Sequence, residues 1–304
     1  MRAEGDARHE ESFSLRLSER VDALPEALDA LRVIGHLRAD FPPEVARWGA
    51  TLHELRGRAR KLFQAASPRW MTRRGWEQST APPVAEHRAR RIQGLECKTC
   101  HDATCGIGVD ALALAHKHSF TVASDRDPWM AACARANLRD AGLRQDRVVV
   151  AEAEAGAVRA DFLLLDPDRR ATKSGERTFD PKLFSPRLGR SLELARAARA
   201  ACLKLPPGLS PSQVASDADL RFEWISLRGE MRELSVWTGI AAEQLGRGRA
   251  ATVLDDRYGL EATMSAVDPV PEPQALEIEE ARHSRLLVEP DPAVLRAGLY
   301  GQLA

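Results

Sequence analysis

The chain has 304 residues, with 44 Lys plus Arg against 44 Asp plus Glu and five cysteines. Balanced charge points to no partner class, so any affinity for nucleic acid must come from local patches. No apolar run reaches the about 18 residues that a spanning helix needs, which excludes a helical membrane protein.

The charged start, Met1 to Glu11, has no apolar core of the signal-peptide kind. That predicts a cytoplasmic chain with reduced thiols. Residues 14–37 read as two short helices broken at Pro25, and Pro42-Pro43 opens a longer one. Along it Val45, Trp48, Leu52, Leu55, Ala59 and Leu62 recur at steps of three and four, the stripe of a packed helix. Thr80 before Pro82-Pro83 predicts a further helix start. Residues 1–92 are therefore expected to form an all-helical domain.

Part of this region is basic. Ten cations stand between Arg56 and Arg91, with Phe63, Trp70 and Trp76 interleaved and Glu77 and Glu86 as the acids. Arginine mixed with aromatic rings suits a nucleic-acid surface, because guanidinium groups hold phosphates and rings stack on bases. A solvated helix face with core tryptophans gives the same composition.

Beyond residue 92 the rhythm changes to alternating strands and helices. A polar strand over 95–101 leads into Asp102-Ala103-Thr104-Cys105-Gly106-Ile107-Gly108 and a helix. Strands follow at 120–124 (ending in Asp125), 148–150, 161–166, 201–205, 222–227 and 234–238, with helices from Asp127 and over 183–199. The four-residue apolar run Phe162 to Leu165 between two acids is the mark of a strand buried on both faces. The alternation predicts a doubly wound α/β domain over 93–239. Residues 240–304 carry two short strands, an acidic Pro-rich spacer at 267–273 and a last helix from Pro292, and are expected to form a small α+β domain.

In such a sheet, ligands bind beyond the carboxyl ends of the strands at the switch point. Four strand ends carry marked residues: Asp102 with the Gly106–Gly108 turn, Asp125, Glu152 or Glu154, and Asp166-Pro167-Asp168-Arg169-Arg170. These residues resemble class I S-adenosylmethionine-dependent methyltransferases. Residues 102–108 are similar to that family's first motif, D-x-G-x-G-x-G, with Thr104 in place of the first glycine. More narrowly, the chain resembles a bacterial group with a C-terminal THUMP-like domain, through Asp166–Arg170, Lys204–Gly208 and Glu289-Pro290-Asp291 to Arg296-Ala297-Gly298.

The resemblance implies a Rossmann-like seven-stranded sheet and S-adenosylmethionine as cofactor. Asp102, Thr104, Gly106, Gly108, Asp125 and, at the adenine, Glu154 (with Glu152 as alternative) would bind it. Asp166 would orient or deprotonate the acceptor, with Arg169 and Arg170 beside it as phosphate holders. Arg73, Arg74, Trp76 and Lys204 are expected to face the substrate, for which RNA leads. A small molecule or a protein is the alternative acceptor, and an RNA-binding protein without catalysis the alternative of another class. A dinucleotide is the alternative cofactor; a phosphate-cradling Gly-Lys-Ser/Thr loop is missing. Cys97-Lys98-Thr99-Cys100-His101 matches the haem-attachment pattern, but it overlaps the first strand and lacks the second Cys pair of a zinc site. No metal is expected.

Overall fold

The computed structural model describes residues 14–63, 68–118, 120–144, 147–155, 160–169, 180–215, 219–267 and 289–302. Ahead of the sheet come helical residues 14–22, α1 (Ala30–Leu37), α2 (Pro43–Phe63), α3 (Arg73–Gln78) and α4 (Pro82–Gln93). Leu52, Leu55 and Ala59 of the α2 stripe are buried, while Leu62 at its end is exposed. α4 has Pro at its first positions and Ala81, not Thr80, as N-cap; the Thr80 hydroxyl is engaged elsewhere.

Then follow β1 (Thr99–Asp102), α5 (Val109–Lys117), β2 (Phe120–Asp125), α6 (Pro128–Asp140), β3 (Val148–Val150), β4 (Phe162–Leu165), α7 (Leu188–Ala197) and β5 (Ala200–Leu205). After these come α8 (Pro211–Val214), β6 (Arg221–Leu227), β7 (Glu230–Gly239), α9 (Ile240–Leu245), β8 (Gly248–Asp255), β9 (Leu260–Ala266) and α10 (Pro292–Ala297). One sheet contains all nine strands in the order β3-β2-β1-β4-β5-β7-β6-β8-β9. β1 pairs in parallel with both β2 and β4, so the chain reverses its direction of travel between β1 and β4. That is the switch point.

The expected seven strands are thus nine. β8 pairs in parallel with β6 across its whole length, and β9 lies antiparallel to β8. The edge of β6 would otherwise present unpaired backbone groups. The Glu289-to-Gly298 tail forms the capped α10: Asp291 Oδ1 accepts from Ala293 N at 2.8 Å, and Gly298 closes the helix at φ +72°. Ala293, Val294, Ala297 and Leu299 are buried among Phe222, Trp224 and Val236. Each tail residue that the resemblance singled out at a helix end serves a cap.

Two expected elements are shorter. β1 begins at Thr99 because Leu95 and Cys97 are held in turns onto Ile92 and Leu95 carbonyls. α7 begins at Leu188 because Ser185 instead forms an isolated bridge to Asp168. The polarity of β1 is satisfied laterally: His101 Nε2 lies 2.9 Å from Ser124 Oγ, and Thr99 Oγ1 donates to Asp161 at 3.0 Å. Burial lowers the His101 pKa to about 4, so the ring is neutral in the sheet.

Asn137 and His87 are among the residues that fasten the helical segment to the sheet. Asn137 of α6 is buried, and its amide is fully used. Its Oδ1 accepts from Arg69 N at 2.9 Å and Trp70 N at 2.7 Å. Its Nδ2 donates to the Trp70 carbonyl at 2.9 Å and the Ile107 carbonyl at 2.8 Å. At the far edge, His87 of α4 sits between Glu223 of β6, 3.2 Å away, and Glu261 of β9, 2.8 Å away. Burial opposes charge on His87, but the two carboxylates outweigh it and raise its pKa. The His87 contact holds Glu261 down to about 2.

Asn137→Ala leaves four backbone groups without a partner and is expected to cost about 3 kcal/mol in urea unfolding; a loss near zero would mean that other contacts dock the segment. The His87 cluster has a pH signature. A raised histidine stabilises fully below its unfolded value of 6.5 and less as pH climbs through its folded value. The lowered Glu261 stabilises above 4.5 and loses that contribution as pH falls toward about 2. His87→Gln is expected to flatten the decline in stability above pH 6.5, read as the thermal midpoint against pH.

Candidate active site

A cleft of about 600 Å³ opens over the carboxyl ends of β1, β2, β4 and β5. The turn after β1 forms part of its base. Gly106 and Gly108 both have positive φ, +54° and +88°, a region closed to most side chains. A Cβ on Gly106 would meet nothing within 4 Å, because this residue faces the cleft. A Cβ on Gly108 would lie 2.9 Å from that of Ala134, so this glycine also lets α6 approach the turn. Thr104 is not among the residues with positive φ. Its hydroxyl accepts from Asp166 N at 2.7 Å, which ties the β1 and β4 loops together.

Asp125 at the end of β2 holds the turn from the other side. Its Oδ2 accepts from Gly106 N at 2.8 Å and its Oδ1 from Asp127 N at 2.9 Å. Burial raises its pKa, against the pull of those two N–H groups. Each oxygen keeps acceptor capacity for a second donor, the geometry a vicinal diol requires. Glu152 and Ala153 continue this wall. Glu154 is exposed and is not part of it.

The floor is a buried ionic chain. Arg88 of α4, 1% exposed, pairs with Asp110 and Glu233. Thr80 donates to Asp110 and accepts from Lys204 Nζ at 2.7 Å. Lys204 in turn pairs with Asp166. Burial works against charge on Lys204, but Asp166, Asp110 and Glu233 raise its pKa, so it is an ammonium group. Beneath them Asp102 is 2% exposed, and its Oδ2 has no hydrogen-bond partner among the described residues. Burial, then the charge of Asp110, push its pKa well up. Four acidic side chains, of which Asp102 is held toward its neutral form, thus face two cations. A negative surplus at the base of a cleft favours a cationic ligand.

The roof comes from α3. Its Gly75 presses onto the turn: a Cβ there would overlap the Cγ2 of Ile107. Arg74, Trp76 and Gln78 line the cleft, as do Asp166, Arg169 and Lys204. Trp76 packs edge-on against Phe63 with ring centroids 6.2 Å apart. Of the expected substrate residues Arg73 alone points elsewhere, to Glu54 at the surface. Arg170 lies outside the described residues.

The basic run of 56–91 is largely neutralised. Nine of its ten cations have a carboxylate partner, including Asp22, Glu26, Glu54, Glu223 and Glu261. Sequence reasoning missed these acids because they lie far along the chain, and with them Thr80, Arg88, Asp110, Arg126 and Glu233 as parts of the site. All five cysteines are buried free thiols. Burial holds Cys202 beside the floor at about 12, so it is no thiolate. Among the described residues no group of metal-ligating side chains gathers, and no helix is long and apolar enough to cross a membrane.

Known proteins resemble this chain in sequence and in fold. The chain is 35% identical over 225 residues to uncharacterized S-adenosylmethionine-dependent methyltransferases of two Mycobacterium tuberculosis strains, CDC 1551 and H37Rv. The match takes in 73% of this chain and 58% of each relative, so the chain spans less than two thirds of their length. A solved structure from Porphyromonas gingivalis W83, described as a candidate methyltransferase, superposes with a TM-score of 0.66 over 96% of this chain and 74% of that one, at 21% identity. This chain has the fold of that structure. No family model matches the chain.

Arg88→Met would leave Asp110 and Glu233 buried without their cation. It is expected to cost about 3–5 kcal/mol of stability, measured by urea unfolding at neutral pH. A variant as stable as the parent would show that the floor does not need this pairing.

Proposed function

We propose that the chain is a cytoplasmic S-adenosylmethionine-dependent methyltransferase whose acceptor is an RNA base. The observation that carries the cofactor is the pairing of Asp125 beside an open Gly106 with a floor whose acids outnumber its cations. Asp125 suits the ribose hydroxyls, Glu152 rather than Glu154 the adenine edge, and Asp102 with its free oxygen the ammonium end. When bound, S-adenosylmethionine supplies an electrophilic methyl group on a cationic sulfur. The residues of this chain then have little covalent work; holding the acceptor in line gives most of the rate.

Asp166 sits where β4 meets the cleft, gripped by the Lys204 ammonium and, through its N–H, by Thr104. It receives the hydrogen bond, and then the proton, of the accepting nitrogen. Arg169 stands beside it on the wall, and Arg170 follows it in the chain. Trp76 and Phe63 offer an apolar face to a planar acceptor. Residues 1–92 supply the roof and, through Thr80 and Arg88, part of the floor, with 93–239 as the catalytic unit and 240–304 as a THUMP-like addition that continues the sheet. One observation favours a second reading, a small-molecule acceptor: the neutralised basic run leaves little unpaired charge for a long polynucleotide.

Asp125→Ala is expected to abolish the calorimetric heat of S-adenosylmethionine binding. Asp166→Asn is expected to keep that heat while transfer falls by roughly 100-fold or more. The assay uses radiolabelled methyl and total RNA from cells lacking the gene. Label in RNA supports the first reading and label confined to the small-molecule fraction the second. Full turnover by Asp166→Asn would remove this residue from the mechanism.

A further inference from the structure

The rim of the cleft on the β4 side carries charge of the opposite sign to the floor. Arg74 of the roof and Arg126 after β2 converge on one oxygen, Oδ2 of Asp168, at 2.9 Å and 3.4 Å. Gln78 Nε2 approaches the other oxygen at 3.3 Å. Arg126 is also set by Ser185 Oγ, to which it donates at 2.7 Å. Asp168 itself is fixed by main-chain hydrogen bonds to and from Ser185, 2.8 Å and 3.0 Å long. The two guanidinium groups thus come from separate elements and meet at a rigid point, still 51% and 41% exposed.

Arg169 lies on the same wall. Of the other acids that line the cleft, Asp125, Asp127 and Glu152 follow β2 and β3 on the cofactor side of the switch point, and Glu77 belongs to α3. Two guanidinium groups therefore meet at the acceptor end of the cleft. Two arginine forks from different directions suit a tetrahedral oxyanion, which has acceptor oxygens for both.

We propose that Arg74 and Arg126, held apart by Asp168, form a phosphate-binding clasp for the methyl acceptor. The phosphate it takes is attached close to the accepting atom, because Asp168 stands two residues beyond Asp166 in the same loop. Asp168 is a positioning residue: it keeps both forks aimed at the rim before the substrate arrives, and the phosphate replaces part of its contacts. The inference deepens the RNA reading and rests on it for the identity of the acceptor, though the clasp itself requires only a phosphate.

The test uses the full chain saturated with S-adenosylhomocysteine, comparing the parent with the Arg74→Gln/Arg126→Gln double variant. Two probes are titrated: inorganic pyrophosphate, followed by phosphorus NMR line broadening, and a mixed-sequence single-stranded RNA, followed by fluorescence anisotropy over a range of salt. The expected result is loss of pyrophosphate broadening and RNA binding weakened by at least about tenfold, with a salt slope shallower by about 0.7 for the one phosphate no longer held. Arg73→Gln, whose parent side chain pairs with Glu54 away from the cleft, is expected to bind as the parent does. Arg126→Lys keeps the charge without the fork; its expected intermediate affinity provides a readout should the double variant fold poorly. RNA bound equally by parent and double variant would overturn the clasp and leave the RNA reading standing. Pyrophosphate held through these arginines with no RNA binding would keep the clasp and overturn the RNA reading. No binding of either probe by the parent would overturn both.

Discussion

The arrangement depends on one constraint: Arg88 is buried as a full charge and must be answered by carboxylates. The cluster draws on three parts of the chain. The arginine belongs to α4, Asp110 to the first turn of α5 and Glu233 to β7. Thr80 then passes the contact to Lys204 and so to Asp166. An unpaired charge at that depth is far more costly than an exposed one, so helical segment, glycine turn and strand ends are fixed together. The proposed catalytic carboxylate is thereby positioned through Thr80 and Arg88, far upstream in the chain.

The same pairing changes the meaning of the basic stretch. Clustered arginines in a sequence suggest a surface field, yet a field exists only where the counter-charges are absent. Here the acids of helical residues 14–22, β6 and β9 cancel most of it. What remains at the cleft is a negative floor and a guanidinium rim about one aspartate. A cationic cofactor and an anionic acceptor would each find the complementary end, and reversed occupancy would be opposed by both.

The glycine turn has a narrower task than its motif suggests. Gly106 leaves the cleft open and Gly108 admits α6. Thr104 is no defect in the motif: its hydroxyl clamps the β4 loop, a bond that glycine could not make. Above the turn Gly75 and Asn137 lock the roof in place.

The sequence by itself determined the elements and the strand ends. Apolar runs, proline starts and capping aspartates are local signals, and Asp127, Asp291 and the apolar β4 behave in the structure as their local chemistry demands. Asp102, Gly106, Asp125, Asp166 and Lys204 were legible because each stands at a place where a strand or its turn ends. Hydrogen bonding across the sheet edge was not local, so the nine-strand count and the strand order came only from the tertiary structure. The choice of Glu152 over Glu154 on the cleft wall needed the path of the chain after β3. Arg73 turned away and Arg74 turned inward for the same reason: adjacent residues on a short helix point in different directions, and only packing shows which one meets the cleft. Asp110, Glu233, Arg126 and Asp168 acquired their roles through partners distant in sequence, since charge pairing is decided by proximity in space.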